Sequence, residues 1–226
     1  MSRIVVLAEG QAEETFVRDL IAPHLQQFGV YAQARLATTK HVKVGASFKG
    51  GITKYAPVRL DVLHILRDKG LKRVTTLIDY YHLPDDFPGA GDDEPKSARD
   101  RAKHIQAAWR ADIGEPRFRP YLSLHEYEAL LFASPEQISA LAPAKIRGKV
   151  LEKLNAARDA FESVEDINDG DHTSPAKRIQ ALIPEYRKPL GGLLIAEAIG
   201  LVAMREASPR FDAWLARLEA LGEANQ

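Results

Sequence analysis

The sequence predicts an α/β fold, with a mainly parallel sheet flanked by helices and a helical C-terminal extension, from three observations. Two short, β-branched-rich apolar runs, Ile4–Ala8 (IVVLA) and Val74–Ile78 (VTTLI), have the continuous apolar character of strands buried on both faces. Stretches with apolar residues at three- and four-residue steps lie around them. The two kinds alternate along the first half of the chain, as in parallel strands joined by right-handed helical crossovers.

Each element follows from its own residues. The first strand stops at Glu9-Gly10, and Phe16, Val17, Leu20, Ile21 and Leu25 then mark a helix. Gly29 ends it, and Val30–Leu36 alternates apolar and polar residues like a second strand. Val58–Leu66 regains helical spacing before the VTTLI strand, which Asp79 closes. Residues 82–96, rich in Pro, Gly and acids, read as a long loop of the functional or mobile kind. A helix is expected over Ala98–Ala111, a strand over Arg119–Ser123 and a helical segment over His125–Phe132. From Ser134 onward the pattern is one of short helices separated by Pro and Gly. Ser134-Pro135 suits a helix start, and the last helix is amphipathic, from Pro209 to Leu221. The expected division is an α/β domain over residues 1–133 and a helical segment over 134–226 packed on it.

With 226 residues, 45% hydrophobic and 27% charged, the chain has the composition of an ordinary globular protein, neither disordered nor membrane-embedded. No apolar run approaches the ~20 residues of a membrane span, and no cationic flank or cleavage pattern marks a signal peptide. A cytoplasmic protein without membrane contact is the expectation. The lack of cysteine excludes disulfides, thiolate metal sites, iron–sulfur clusters and cysteine nucleophiles. Basic and acidic residues both number 31, which argues against coating nucleic acid by bulk charge. The charges are nevertheless segregated. Residues 40–73 carry nine Lys or Arg against two acids, whereas 79–94 and 159–171 each carry six acids and no Lys or Arg. Solvated faces explain such runs; so does an anionic substrate held beside a carboxylate-lined, cation-binding centre.

Glu9 and Asp79 end strands, and in open parallel sheets the functional crevice lies off the carboxyl ends. Neighbouring strands are ~5 Å apart, so two such carboxylates can converge on one cation. Hard cations such as Mg²⁺ take oxygen ligands and keep several waters, so two to four carboxylates suffice. His82, His125 and His172 lack a paired spacing, which disfavours zinc. Glu13 and Glu14 are also explained by the first-turn preference of a helix for acids. In SLHEYEALLF, read as a helix, Glu128 falls among Leu124, Tyr127, Leu131 and Phe132, while Glu126 points to the other side. An arginine such as Arg117 would satisfy Glu128; a cation shared with Glu9 and Asp79 would do so equally. If the first residues are extended, Glu126 and Glu128 share a face. In residues 164–179, Thr173 or Ser174 is positioned to cap a helix whose free N–H groups suit a phosphate, with Lys177 and Arg178 following; a solvated loop before a capped helix reads equally well. Lys49 and Lys54 flank a glycine-containing loop suited to phosphate contact. There is no Walker-type loop, G-x-G-x-x-G or G-x-S-x-G.

These residues carry a resemblance. The strand-end Glu9-Gly10 and strand-end Asp79 resemble the TOPRIM domain of topoisomerases, primases and OLD-type nucleases. More closely, VVLAEGQAEETFV, LIDYYHLP, LHEYEALLF, INDG and SPAKRI, in this order, resemble a bacterial family of TOPRIM-like proteins encoded beside ABC- or AAA-type ATPases. That family includes the effector nuclease of the PARIS anti-phage defence system, whose implied target is RNA, tRNA being the example. The resemblance runs from Arg3 to about Leu221. It implies a TOPRIM/Rossmann-like fold and a Mg²⁺- (or Mn²⁺-) dependent phosphodiester nuclease, with an ATPase partner, a nucleic acid substrate and a homodimer as a further assembly to test. Glu9 takes the place of the TOPRIM glutamate and Asp79 that of the first aspartate of D-x-D. The second aspartate is Tyr81, so Glu126 or Glu128 would complete the ligands, with Asp85 and Asp86 as further substitutes. Glu9, Asp79, Glu128 and Lys177 are then the catalytic candidates, Glu9, Glu13, Asp79, Glu126 and Glu128 the metal candidates, and Lys49, Lys54 and Arg178 the substrate contacts. Two other readings stay open: a non-catalytic TOPRIM-like regulatory partner of the ATPase, and a small-molecule phosphohydrolase.

Overall fold

A computed structural model of the chain describes residues 1–38, 51–81, 83–92, 97–167 and 173–223. Strands β1 (Ser2–Ala8), β2 (Val30–Leu36), β3 (Leu71–Asp79) and β4 (Leu122–Ser123) form one sheet in the order β2-β1-β3-β4, with every neighbouring pair parallel. The parallel α/β fold expected from the alternating pattern is the observed one. Ile4 to Ala8 are all buried, as a strand covered on both faces requires. The register sets Ala8 beside Leu36 on one side and Leu77 on the other.

β3 begins earlier than VTTLI alone suggests and runs through Asp79, whereas β4 is shorter than the expected Arg119–Ser123. The reason lies in two residues. Pro120 has no N–H for a ladder, and the buried Thr76 hydroxyl engages both backbone groups of Tyr121: it donates to the carbonyl at 2.6 Å and accepts from the N–H at 2.9 Å.

The crossover from β1 to β2 is α1 (Gln11–Phe16), a wide π turn (Val17–Ile21) and α2 (Ala22–Gln26). Pro23 cannot donate an i→i−4 bond, and the wide turn just before it accommodates the loss. Helices α3 (Tyr55–Ile65) and α4 (Ala98–Ile113) lead into β3 and β4. Val58, Val62, Ile105 and Trp109 pack with Val5, Leu7, Val74 and Ile78 of the sheet in one buried cluster. α4 starts where Ser97 Oγ accepts the Asp100 N–H at 3.1 Å and stops at Gly114, which takes the left-handed conformation at φ 66°.

The loop after β3, expected to be functional or mobile, is anchored over its described part. Phe87 is buried and meets Tyr55 and Trp109 edge-on at 4.8 and 4.9 Å. Asp86 Oδ1 accepts the Tyr55 N–H at 3.0 Å and so serves the first turn of α3, which ties down this part of a segment expected to be loose.

The chain divides into two compact units, residues 1–124 with 218–226, and residues 125–217. In the second unit, residues 125 and 126 are not helical, and a 3₁₀ turn runs over Tyr127–Ala133 where a helix was expected from His125. α5 (Pro135–Ser139), α6 (Arg147–Asp159), α7 (Pro175–Leu182) and α8 (Lys188–Ala207) follow, and α9 (Pro209–Glu223) begins in this unit and ends in the first. α8 is two helical pieces broken at Gly200 (φ 75°, ψ 158°), a separation by glycine of the kind expected. Ser134 precedes α5 as predicted, yet its hydroxyl bonds the Glu136 carboxylate at 3.0 Å and caps no N–H. No helix among the described residues is long and apolar enough to cross a membrane.

Candidate functional site

In the order β2-β1-β3-β4 the chain leaves β1 for β2 in one direction, then crosses back to add β3 and β4 on the other side. The reversal puts the topological switch point between β1 and β3, where open parallel sheets form their ligand crevice off the carboxyl ends. Glu9 follows β1 and Asp79 ends β3, so the two predicted carboxylates flank that point. They are joined directly: the Asp79 N–H donates to Glu9 Oε2 at 2.9 Å. The Glu9 N–H continues the ladder to the Leu77 carbonyl at 3.1 Å, which fixes the base of the side chain.

Glu13 follows Glu9 at the start of the next helix. It is buried in the first turn of α1, and a Cβ at Gly10 would come within 3.0 Å of its Oε2. Gly10 is extended, with φ −141°, so any residue could adopt its backbone; what matters is the space left beside the carboxylate. Packing beside the carboxylate, and not backbone conformation, therefore accounts for this glycine. Gly51 faces the other carboxylate oxygen, its absent Cβ 4.0 Å from Glu9 Oε1. Two bare backbones thus border these two acids.

Glu126 and Glu128 form a second group, within the second unit. Glu126 is extended (φ −73°, ψ 155°) just before the 3₁₀ turn, and both acids reach one ammonium. Lys188 Nζ donates to Glu126 Oε1 at 2.7 Å and straddles Glu128 at 3.3 and 3.4 Å. The Tyr186 hydroxyl adds a contact to Glu128 at 3.5 Å. Burial, and then the charge of Glu128, push that phenol above its ordinary range, so it stays a neutral donor. Burial opposes ionisation of Glu126, but Lys188 and the Ala176 N–H hold its carboxyl below the usual range. Arg117, the expected partner of Glu128, instead holds Glu115 and donates to the carbonyls of Leu66, Asp68 and Leu71.

The start of α7 is altered in the same way. The anion at its first turn is internal: Glu126 Oε2 accepts the Ala176 N–H at 2.9 Å, and Ser174, at the cap position, makes no side-chain cap bond. Arg178 Nε donates to the Thr173 carbonyl at 2.6 Å, while Lys177 is exposed on α7. Lys54 is exposed before α3; Lys49, His82 and His172 lie outside the described residues. Tyr81, in place of the second aspartate, is 37% exposed. His125 is buried, and burial lowers its pKa, consistent with a neutral imidazole.

Lys188 is the residue that sequence reasoning missed. Its signal was available: a lysine in the first turn of a helix, before Pro189, opposes the macrodipole. Such a placement asks for a nearby anion, and two are present.

Among the described residues no group of three or more His, Asp or Glu side chains is arranged to hold a metal ion. The strand-end donors are nonetheless hard oxygens bordered by two glycines, and Mg²⁺ binds through one or two carboxylates with water completing its shell. The chemistry of Glu9 and Asp79 fits such an ion.

A family model described as Domain of unknown function (DUF4276) matches residues 8–219. No curated protein and no solved structure matches the chain.

Proposed function

The chain belongs to the DUF4276 family, and we propose that it is a metal-dependent phosphodiester nuclease whose centre is the strand-end pair Glu9 and Asp79. The observation that carries the reading is the Asp79 N–H to Glu9 Oε2 bond across the switch point, which fixes the Glu9 carboxylate at the end of the strand that carries Asp79. The resemblance to TOPRIM-like nucleases supports the same assignment and supplies the expected target, RNA or DNA, and the expected ATPase partner in anti-phage defence. A bound Mg²⁺ or Mn²⁺ would offset charge on the phosphate and lower the pKa of a water. Glu9 is held at its backbone and at Oε2, its Oε1 borders Gly51, and its carboxylate is the candidate metal ligand or proton acceptor. Glu13 extends the acidic wall. Glu126 and Glu128 are assigned to holding Lys188 and the start of α7, and Lys177 to a phosphate contact.

The test uses purified full chain with tRNA and duplex DNA, with and without the neighbouring ATPase. Cleavage that requires Mg²⁺ or Mn²⁺ and disappears in Glu9→Gln and Asp79→Asn, with the melting curve retained, is the expected result. Metal-dependent cleavage that survives both substitutions would place the chemistry elsewhere.

The second reading is a non-catalytic partner of the ATPase. It is favoured by one observation, the neutralisation of Glu126 and Glu128 by Lys188. It expects complex formation with the ATPase and no heat of Mn²⁺ binding in calorimetry.

A further inference from the structure

Away from the strand-end acids, two guanidiniums stand side by side where α4 gives way to the chain leading to β4. Arg110 lies in the last turn of α4 and Arg119 beyond the Gly114 turn. With Ala107, Ala111, Glu115 and Pro116 they line an open cleft of about 390 Å³. Glu115, the acid in that lining, is already held by Arg117 at 3.1 and 3.2 Å. Arg119 Nη1 donates to the Phe118 carbonyl at 3.3 Å, and among the described residues neither Arg110 nor Arg119 has a carboxylate partner. Burial, and then the charge of Arg110, lower the pKa of Arg119, so the two cations repel each other as they stand. A basic residue in the last turn of a helix complements the macrodipole, which accounts for Arg110 alone. It gives no reason for a second, partly buried guanidinium against it.

We propose that Arg110 and Arg119 form a binding subsite for a phosphate monoester. A monoester carries close to two negative charges near neutral pH, matching two guanidiniums, and each planar fork can donate two N–H bonds to its oxygens. The negative end of α4 opposes the ligand with about half a charge, less than the two full positive charges. The Gly114 N–H satisfies the Arg110 carbonyl at 3.1 Å and weakens that opposition. Ala107, Ala111 and Pro116 supply an apolar wall for a flat or apolar body attached to the phosphate. The subsite draws on none of the residues assigned to the nuclease reading and does not depend on it.

Isothermal titration of the full chain with inorganic phosphate, and separately with a nucleoside 5′-monophosphate, tests this in buffer containing a chelator. Binding by wild type is expected. Arg119→Gln and Arg110→Gln should each weaken it roughly tenfold or more, the loss of one charge-assisted fork. Arg110→Lys should fall between, keeping charge without the fork. Lys149→Gln, at an exposed lysine of α6, should bind like wild type. Tighter binding of the nucleotide assigns its body to the apolar wall, and equal affinity assigns the phosphate alone; either supports the subsite. No binding of either probe, or full affinity in the double Arg110→Gln, Arg119→Gln protein, overturns it. Melting curves confirm folding, and the exposed Arg110 supplies an informative variant should Arg119→Gln fail to fold.

Discussion

Two groups of acidic side chains are held in this molecule by different means. At the strand ends, Glu9 is oriented by a backbone amide of the neighbouring strand, with Glu13 and two glycines around it. In the second unit, Glu126 and Glu128 meet an ammonium, a phenol and a helix-start N–H. Glu128 is fully buried, yet burial alone does not identify a metal ligand. A carboxylate paired with lysine has its charge offset from within. A peptide N–H orients a carboxylate without itself supplying a formal positive charge. The partner, more than the burial, separates a structural acid from a candidate catalytic one.

The largest effect on stability is expected at the shared ammonium. Lys188→Met leaves Glu128 and Glu126 buried without it and should cost about 3 kcal/mol, the lower end for breaking a buried pair, because Lys188 keeps 35% of its side chain exposed. Urea unfolding measures it. Adding Glu128→Gln should restore part of the loss; a Lys188→Met protein as stable as wild type would break the contrast between the two groups.

Gly192→Ala comes next. A Cβ there would overlap the hydroxyl of buried Tyr127 and crowd the Tyr186 hydroxyl at 3.0 Å. Overpacking of this kind costs about 1–3 kcal/mol. Tyr127→Phe should recover a portion in the double variant, visible as a partly restored melting temperature. Recovery would show that α8 approaches the acid group through this glycine.

The two regions were unequally legible from sequence. β1 and β3 could be recognised because parallel strands covered on both faces need unbroken apolar residues, and their closing acids marked the crevice. Val30–Leu36 coincides with β2 because its alternation has the period of a strand. The Lys188 pairing could not be read, since residues 126 and 188 are distant in the chain and nothing local couples them. Of the two readings of the segment from His125, the helical one fails and the extended one holds, an extended Glu126 setting both carboxylates toward one lysine. Thr76 shortened β4 by a side-chain bond that a propensity argument does not contain.

A smaller effect concerns pH. Burial opposes the charge on Glu126, but Lys188 and the neighbouring donors win, so its carboxyl titrates lower in the folded chain than in the unfolded one. The unfolded state then binds more protons through that interval, and stability rises with pH across it. The contribution is complete above the ordinary glutamate range and is lost as the pH falls through the depressed folded value. Glu126→Gln should flatten this part of the stability profile, measured by urea midpoints at stepped acidic pH. An unchanged slope would detach Glu126 from the lysine.

Glu9→Gln should change stability least. The substituted amide keeps an oxygen that can accept the Asp79 N–H, so the bond across the switch point persists in neutral form. A charge-assisted hydrogen bond exceeds a neutral one by roughly 1 kcal/mol, and partial exposure of Glu9 reduces even that difference. Cleavage activity, by contrast, should disappear with the charge if this acid holds the metal. A small shift in the urea midpoint together with lost cleavage would place Glu9 apart from Glu128, where loss of the partner is felt in folding. A large loss of stability would make the strand-end acids structural as well, and the distinction between the two groups would then rest on their partners alone.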